Sequence, residues 1–277
     1  MRDAVFDRFR PFCGFAPAGY DRDFIGSKIR QAYWNAPRRD TDMVVDAARP
    51  PVDEEYFEWI DLLESVEAAE HGSYTMIELG AGYGRWAVRA ALAARQRALR
   101  VFLVAVEPEP THFQWLLEHV GVNDIRLFCS VSLISAAVSD IAGTDRFYVG
   151  NAEATAPDKW YGQCLASSEL DGCEIVPVTK VTLNGILDNV LKVDLIDFDI
   201  QGEELKTIAA AIELLEAKAK LLHIGTHSQE IEHGLRLLLE SRGWLCLADY
   251  SLGHTHDTPY GRVAFVDGVQ TWKNTAL

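Results

Sequence analysis

From Tyr74 onward the chain alternates short apolar runs with amphipathic stretches. The runs at 75–79, 101–106, 195–200 and 221–225 are almost continuously aliphatic, the pattern of strands buried on both faces. Between them lie stretches with helical spacing. Residues 85–97 are rich in alanine, 111–119 follow a proline-punctuated turn, and 203–218 place Leu205, Ile208, Ile212 and Leu215 on one face. Ser228 is placed to cap a helix over 229–241. Upstream, Pro50-Pro51 marks a break, and Asp53 is the expected cap of a helix at 56–66 whose stripe is Phe57, Ile60, Leu63 and Val66. Weaker patterns predict a helix at 24–34, strands at 125–131, 146–149 and 175–181, a short helix at 182–189, and closing strands at 244–248 and 263–266. A polar, aromatic loop spans 150–174. This β-α alternation predicts an α/β fold: a mostly parallel sheet with helices on both faces and an antiparallel C-terminal edge. Residues 1–52 read as an extension and 53–277 as the principal domain.

Composition sharpens the picture. A hydrophobic content of 48% supports a packed core, and the net charge of −15 argues against a nucleic-acid binder. The charge is uneven: residues 1–49 carry a net +2 and the remainder −17. The five cysteines form no C-x-x-C pair, the N-terminus has acids where a signal peptide needs an apolar stretch, and no apolar run approaches a membrane span. A soluble cytoplasmic protein is the expectation.

The chemistry should gather at the carboxyl ends of the strands. The first strand delivers Glu78 and the turn Gly80-Ala81-Gly82-Tyr83-Gly84, where glycines let backbone approach a cofactor. The second strand ends at Glu107, placed to bind a ribose diol. Ala137 to Asp140 follow, then Asp199 with Gln201, then Thr226 with His227. With no second phosphate-cradling element, S-adenosylmethionine (SAM) fits better than NAD, with Glu78 addressing its amino-acid tail. The cofactor set is therefore Glu78, Gly80, Ala81, Gly82, Gly84, Glu107, Ala137 and Asp199.

At these residues the chain resembles a known family. Ile77 to Gly84 is similar to motif I of class I SAM-dependent methyltransferases. Ala137-Val138-Ser139-Asp140 with Gly143 and Phe147, Val178-Thr179 with Leu183, and above all Asp197 to Leu205, resemble the FkbM-type methyltransferases. The resemblance covers about residues 53–268. It implies a Rossmann-like, seven-stranded sheet and O-methylation of a hydroxyl on a sugar or polyketide-type small molecule, with S-adenosylhomocysteine as product. The family's Asp-x-Glu-Gly reads Asp199-Ile200-Gln201-Gly202 here, which removes a carboxylate. A non-catalytic SAM- or nucleotide-binding protein is the alternative that this loss raises.

Methyl transfer is helped by a base that takes the acceptor's proton, and Asp199 and His227 are the candidates. His227 titrates near neutrality when unperturbed; its other reading is that it orients Asp199. No metal ligands are assigned. His254-x-His256-Asp257 and the pair His223 and His227 have ligand chemistry, and Asp199 would suit Mg²⁺, but loop exposure and spacing argue against a metal. Arg30, Tyr33, Trp34, Arg38 and Arg39 make the extension a candidate lid or acceptor-binding cap, with a packed extension or homodimer arm as the other reading.

Overall fold

The computed structural model describes residues 1–34, 38–149, 161–166 and 174–277. The loop expected at 150–174 therefore lies outside the described residues except for 161–166 and Glu174. A 3₁₀ turn at Arg2–Arg8 opens the chain. Four short strands follow: β1 (Cys13–Ala16), β2 (Tyr20–Arg22), β3 (Lys28–Arg30) and β4 (Met43–Asp46), paired as antiparallel ribbons β1–β4 and β2–β3. The helix expected at 24–34 does not form. Asp23 takes the Gly26 N–H on its carbonyl at 3.0 Å and the Ser27 N–H on its carboxylate at 2.8 Å, and Gly26 has a φ of 89°. That turn aims the chain into β3, and only a 3₁₀ turn at Gln31–Trp34 remains helical.

The principal domain begins with α1 (Glu55–Glu67). Asp53 does not cap it with its side chain; its carbonyl accepts the Tyr56 N–H at 3.2 Å. Then come β5 (Ser73–Leu79), α2 (Arg85–Gln96), β6 (Arg100–Val106), α3 (Pro110–Val122) and β7 (Cys129–Ile134). The third strand lies later than its pattern suggested, because Ile125–Leu127 forms a 3₁₀ turn. β8 (Ala137–Ser139), β9 (Gly143–Val149) and β10 (Glu174–Thr182) make a small accessory sheet. α4 (Leu183–Leu187), β11 (Leu195–Phe198), α5 (Glu204–Lys218), β12 (Leu221–Thr226) and α6 (Gln229–Ser241) complete the alternation, with Ser228 accepting the Ile231 N–H as its cap. β13 (Leu245–Tyr250), a ribbon of β14 (Thr255–Thr258) and β15 (Gly261–Ala264), and β16 (Gly268–Lys273) close the chain.

The seven-stranded sheet runs β13-β16-β12-β11-β5-β6-β7. All its strands are parallel except β16, which inserts antiparallel between β12 and β13. The antiparallel strand is thus one in from the edge, and the run at 263–266 overlaps the β15 ribbon instead. The order is that of a Rossmann-like, mostly parallel α/β sheet. Among the described residues, no helix is long and apolar enough to cross a membrane.

Strand alternation divides the interior. One face carries Ile77, Leu79, Ile196, Phe198, Leu222 and Ile224 into an apolar core under α4, α5 and α6. The other face carries Tyr74, Met76, Leu195 and Leu221 against α1, α2 and the N-terminal segment. On this second face the apolar rows give way, near the carboxyl ends, to a polar row. Glu78, Asp197, His223 and Thr271 stand side by side in register, and all four are buried.

Candidate active site

The strand ends open on a cleft with two lobes that share Gly80, Gly82, Tyr161 and Asp199. The first lobe is lined by Glu107, Pro108, Ala137, Val138, Phe147 and Leu165. Glu107 is buried, and its carboxylate accepts the Gly82 N–H at 2.7 Å and the Glu109 N–H at 2.8 Å. Burial nevertheless pushes its pKa up to about 8. The resulting site is a buried carboxyl over an apolar floor, with acceptor capacity to spare.

The glycine turn divides its labour. At Gly80 a Cβ would lie 1.7 Å from the Asp199 carbonyl oxygen, so this glycine lets the turn touch the end of β11. Gly82 faces both lobes and Ala81 only the second. Gly84 lines neither lobe; a Cβ there would meet Leu116 of α3 at 2.3 Å. Glu78 was expected to reach a ligand's tail. It lines the second lobe, and its two oxygens accept the Trp86 and Ala87 N–H groups, each at 2.9 Å, and so close the N-terminus of α2. Burial, with the Asp197 charge beside it, raises its pKa to about 8.

The second lobe is strongly acidic. Glu54, Glu55, Glu58, Asp197, Asp199 and Asp267 line it, facing Arg85, His223 and His227. Asp199 stands at its mouth with 56% of its side chain exposed. Its Oδ1 accepts the Gln201 amide at 2.8 Å and lies 3.3 Å from His227 Nε2. His227 Nδ1 lies 2.8 Å from Glu204 Oε1, a fully buried carboxylate. Burial opposes charge on the ring, but the two carboxylates outweigh it and raise the His227 pKa to about 11. That shift favours the imidazolium at neutral pH. Of the two readings of His227, the one in which it orients Asp199 fits this geometry better than the one in which it is the base. Asp199 feels burial too, yet the His227 charge beside it, helped by the Gln201 hydrogen bond, holds its carboxyl below the ordinary value.

Gln201 explains the departure from Asp-x-Glu-Gly in physical terms. It sits at φ 51°, which turns its amide back onto Asp199. A glutamate there would set oxygen against oxygen. Glu203 ties this turn to the accessory sheet by accepting the Ser139 hydroxyl at 2.7 Å.

The N-terminal segment is built into the body. The Asp23–Arg89 ion pair (2.8 Å) is nearly buried, Arg2 binds Asp61 (2.5 Å) and Glu64, and Phe6 and Phe24 enter the core. Of its five expected acceptor-binding residues, only Trp34 lines the cleft. Its ring lies under Arg85 (3.9 Å), and its Nε1 donates to the Tyr83 hydroxyl at 3.1 Å. Tyr33 is wholly buried against Tyr83. Arg30 pairs with Glu118 and Arg39 with Asp21, whereas Arg38 stands exposed 3.6 Å from Asp40. The spacing arguments also missed Glu58, Asp61 and Glu204. On α1 the acids read as a solvent face, whereas the helix covers the polar row of the sheet.

The family model for the methyltransferase FkbM domain matches residues 78–252. A protein of Jannaschia sp. (strain CCS1) carrying a provisional methyltransferase name is 26% identical over 225 residues, 79% of each chain. Among solved structures, the methyltransferase FkbM of Methylobacillus flagellatus KT is 15% identical with a TM-score of 0.44; the match covers 73% of this chain and 44% of that one. The chain thus spans less than half the length of that protein. A precorrin-6y C5,15-methyltransferase of Geobacter metallireducens GS-15 is 13% identical with a TM-score of 0.45, over 83% and 94% of the two chains. With the family model covering well over half of its length, the chain belongs to the FkbM methyltransferase family.

Proposed function

We propose that this chain is a SAM-dependent O-methyltransferase acting on a hydroxyl of a sugar or polyketide-type small molecule. The observation that carries the reading is the meeting of the two lobes at Gly80, Gly82 and Asp199. The residues suit the donor. Glu107 is placed for a ribose diol, and two hydroxyls donating to it would restore its charged form. Ala137, Val138, Phe147 and Leu165 offer apolar walls for a purine. The acids of the second lobe suit the cationic end. When bound, SAM supplies a methyl group on a sulfonium leaving group.

The chain's own task is then to orient an acceptor and take its proton. Asp199 is the base in this reading: it is ionised, exposed to the lobe and braced by His227 and Gln201. With the donor bound, Asp199 would take the acceptor hydroxyl's proton as that oxygen is methylated. Trp34 gives the acceptor an aromatic wall, which favours a ring with an apolar face. Mass spectrometry of the purified protein for S-adenosylhomocysteine, followed by SAM turnover against a panel of hydroxylated sugars and polyketides, tests the reading. Product thioether that rises only with a hydroxyl acceptor supports it, and a protein that binds neither SAM nor S-adenosylhomocysteine refutes it.

A further inference from the structure

We propose that Glu58, Asp197 and His223 form a binding site for a divalent first-row transition metal ion, Mn²⁺ or Zn²⁺, in the floor of the acidic lobe. Three elements build it: α1 supplies Glu58, β11 supplies Asp197 and β12 supplies His223. One ligand atom from each lies within 4.8 Å of the others. Metal bonds of about 2.0–2.2 Å hold ligand atoms at most about 4.4 Å apart, so a small rotation of the half-buried Glu58 side chain closes the set.

The histidine is what separates this cluster from a chance gathering of acids. His223 is 3% exposed, and its Nδ1 is bound by Asp61 Oδ2 at 2.6 Å. Asp61 is itself fixed by Arg2 and by the Thr271 hydroxyl, each at 2.5 Å. Asp61 occupies Nδ1, so Nε2 is the ring nitrogen turned toward the cluster. That atom has no hydrogen-bond partner among the described residues, although His223 borders the lobe. Carboxylate–histidine–metal chains orient metal-binding imidazoles in this way. Two oxygen donors and one imidazole suit borderline divalent ions rather than Ca²⁺ or Cu⁺. The side of the cluster facing the lobe leaves coordination positions open.

Of the ligands the sequence brought to mind, His223 belongs to this site, and His227, His254, His256 and Asp199 lie outside it. His227 Nδ1 is held by Glu204 and its Nε2 faces Asp199 at 3.3 Å, and the ring centroids of His254 and His256 are 6.2 Å apart at the β14 ribbon. Asp199 lies two residues beyond Asp197, at the mouth of the lobe rather than in its floor.

Electron paramagnetic resonance of the EDTA-stripped full chain titrated with MnCl₂, with ZnCl₂ calorimetry alongside, tests the proposal. One ion per chain is expected, with a ¹⁴N coupling from one imidazole. Glu58→Gln and His223→Gln should weaken binding at least tenfold, and Asp61→Asn by about ten- to a hundredfold. The ¹⁴N coupling should vanish in His223→Gln. Retained binding of S-adenosylhomocysteine and an unchanged circular dichroism spectrum identify variants that still fold. Absence of binding by the wild type, binding unaltered in Glu58→Gln, or a coupling that survives His223→Gln overturns the proposal. Tight metal binding without methyl transfer would refute the proposed function and leave this site standing.

Discussion

Asp199 and His227 divide a task that the sequence assigned to either. In the proposed mechanism the aspartate moves the proton and the imidazolium holds it in place. Asp199→Asn should lower kcat by about a hundredfold or more, the usual scale of a lost general base, while S-adenosylhomocysteine affinity by calorimetry changes little. His227→Gln should lower kcat less. It also carries a stability signature. The folded pKa of about 11 exceeds the ordinary value of 6.5, so the brace's contribution is whole below about 6.5 and is lost as pH rises through about 11. Thermal melts should show the wild type losing its advantage over His227→Gln between neutral and alkaline pH; an advantage that grows with pH would contradict the assignment. Glu107 gives the opposite slope in binding. With its pKa near 8 in the free protein, donor affinity should rise by up to tenfold per unit as pH increases toward 8, and Glu107→Gln should flatten that dependence.

At the scale of elements, legibility followed the range of the interactions. Glu107 was readable because a strand run and a glycine turn are local, and Ser228 because a cap contacts only its own helix. Asp199 and His227 were readable because both close strands that pair in the sheet. Glu58 and Asp61 were not. Their spacing matches a solvent-facing stripe, and only the packing of α1 over Asp197, His223 and Thr271 turns that stripe inward. β16 escaped notice for a similar reason: it gains its place from β12 and β13, both distant in sequence. The glycine turn shows how one motif serves two ends. Gly84→Ala forces a side chain into φ 77° and onto Leu116, and should cost about 1–3 kcal/mol in denaturant unfolding while leaving the cleft's lining intact. Gly80→Ala meets backbone rather than a movable side chain, and should cost upward of about 3 kcal/mol.

Over the whole molecule, part of the acidity gathers in the second lobe. The acidic lobe faces a donor that is cationic in the proposed reaction, so the net charge of −15 favours its approach. The extension of residues 1–52 is fastened by the Asp23–Arg89 pair and by Phe6 and Phe24 in the core, and it delivers Trp34 to the same lobe. In the proposed reaction, Trp34→Ala should therefore raise the acceptor KM severalfold with the SAM KM unchanged. The central claim is that the glycine turn and Glu107 hold SAM, and calorimetry tests it most directly. S-adenosylhomocysteine titrated into the wild type should bind at one site, NAD should give no heat, and Glu107→Ala should weaken the former at least tenfold. No heat with S-adenosylhomocysteine, or equal affinity in wild type and Glu107→Ala, would contradict the account.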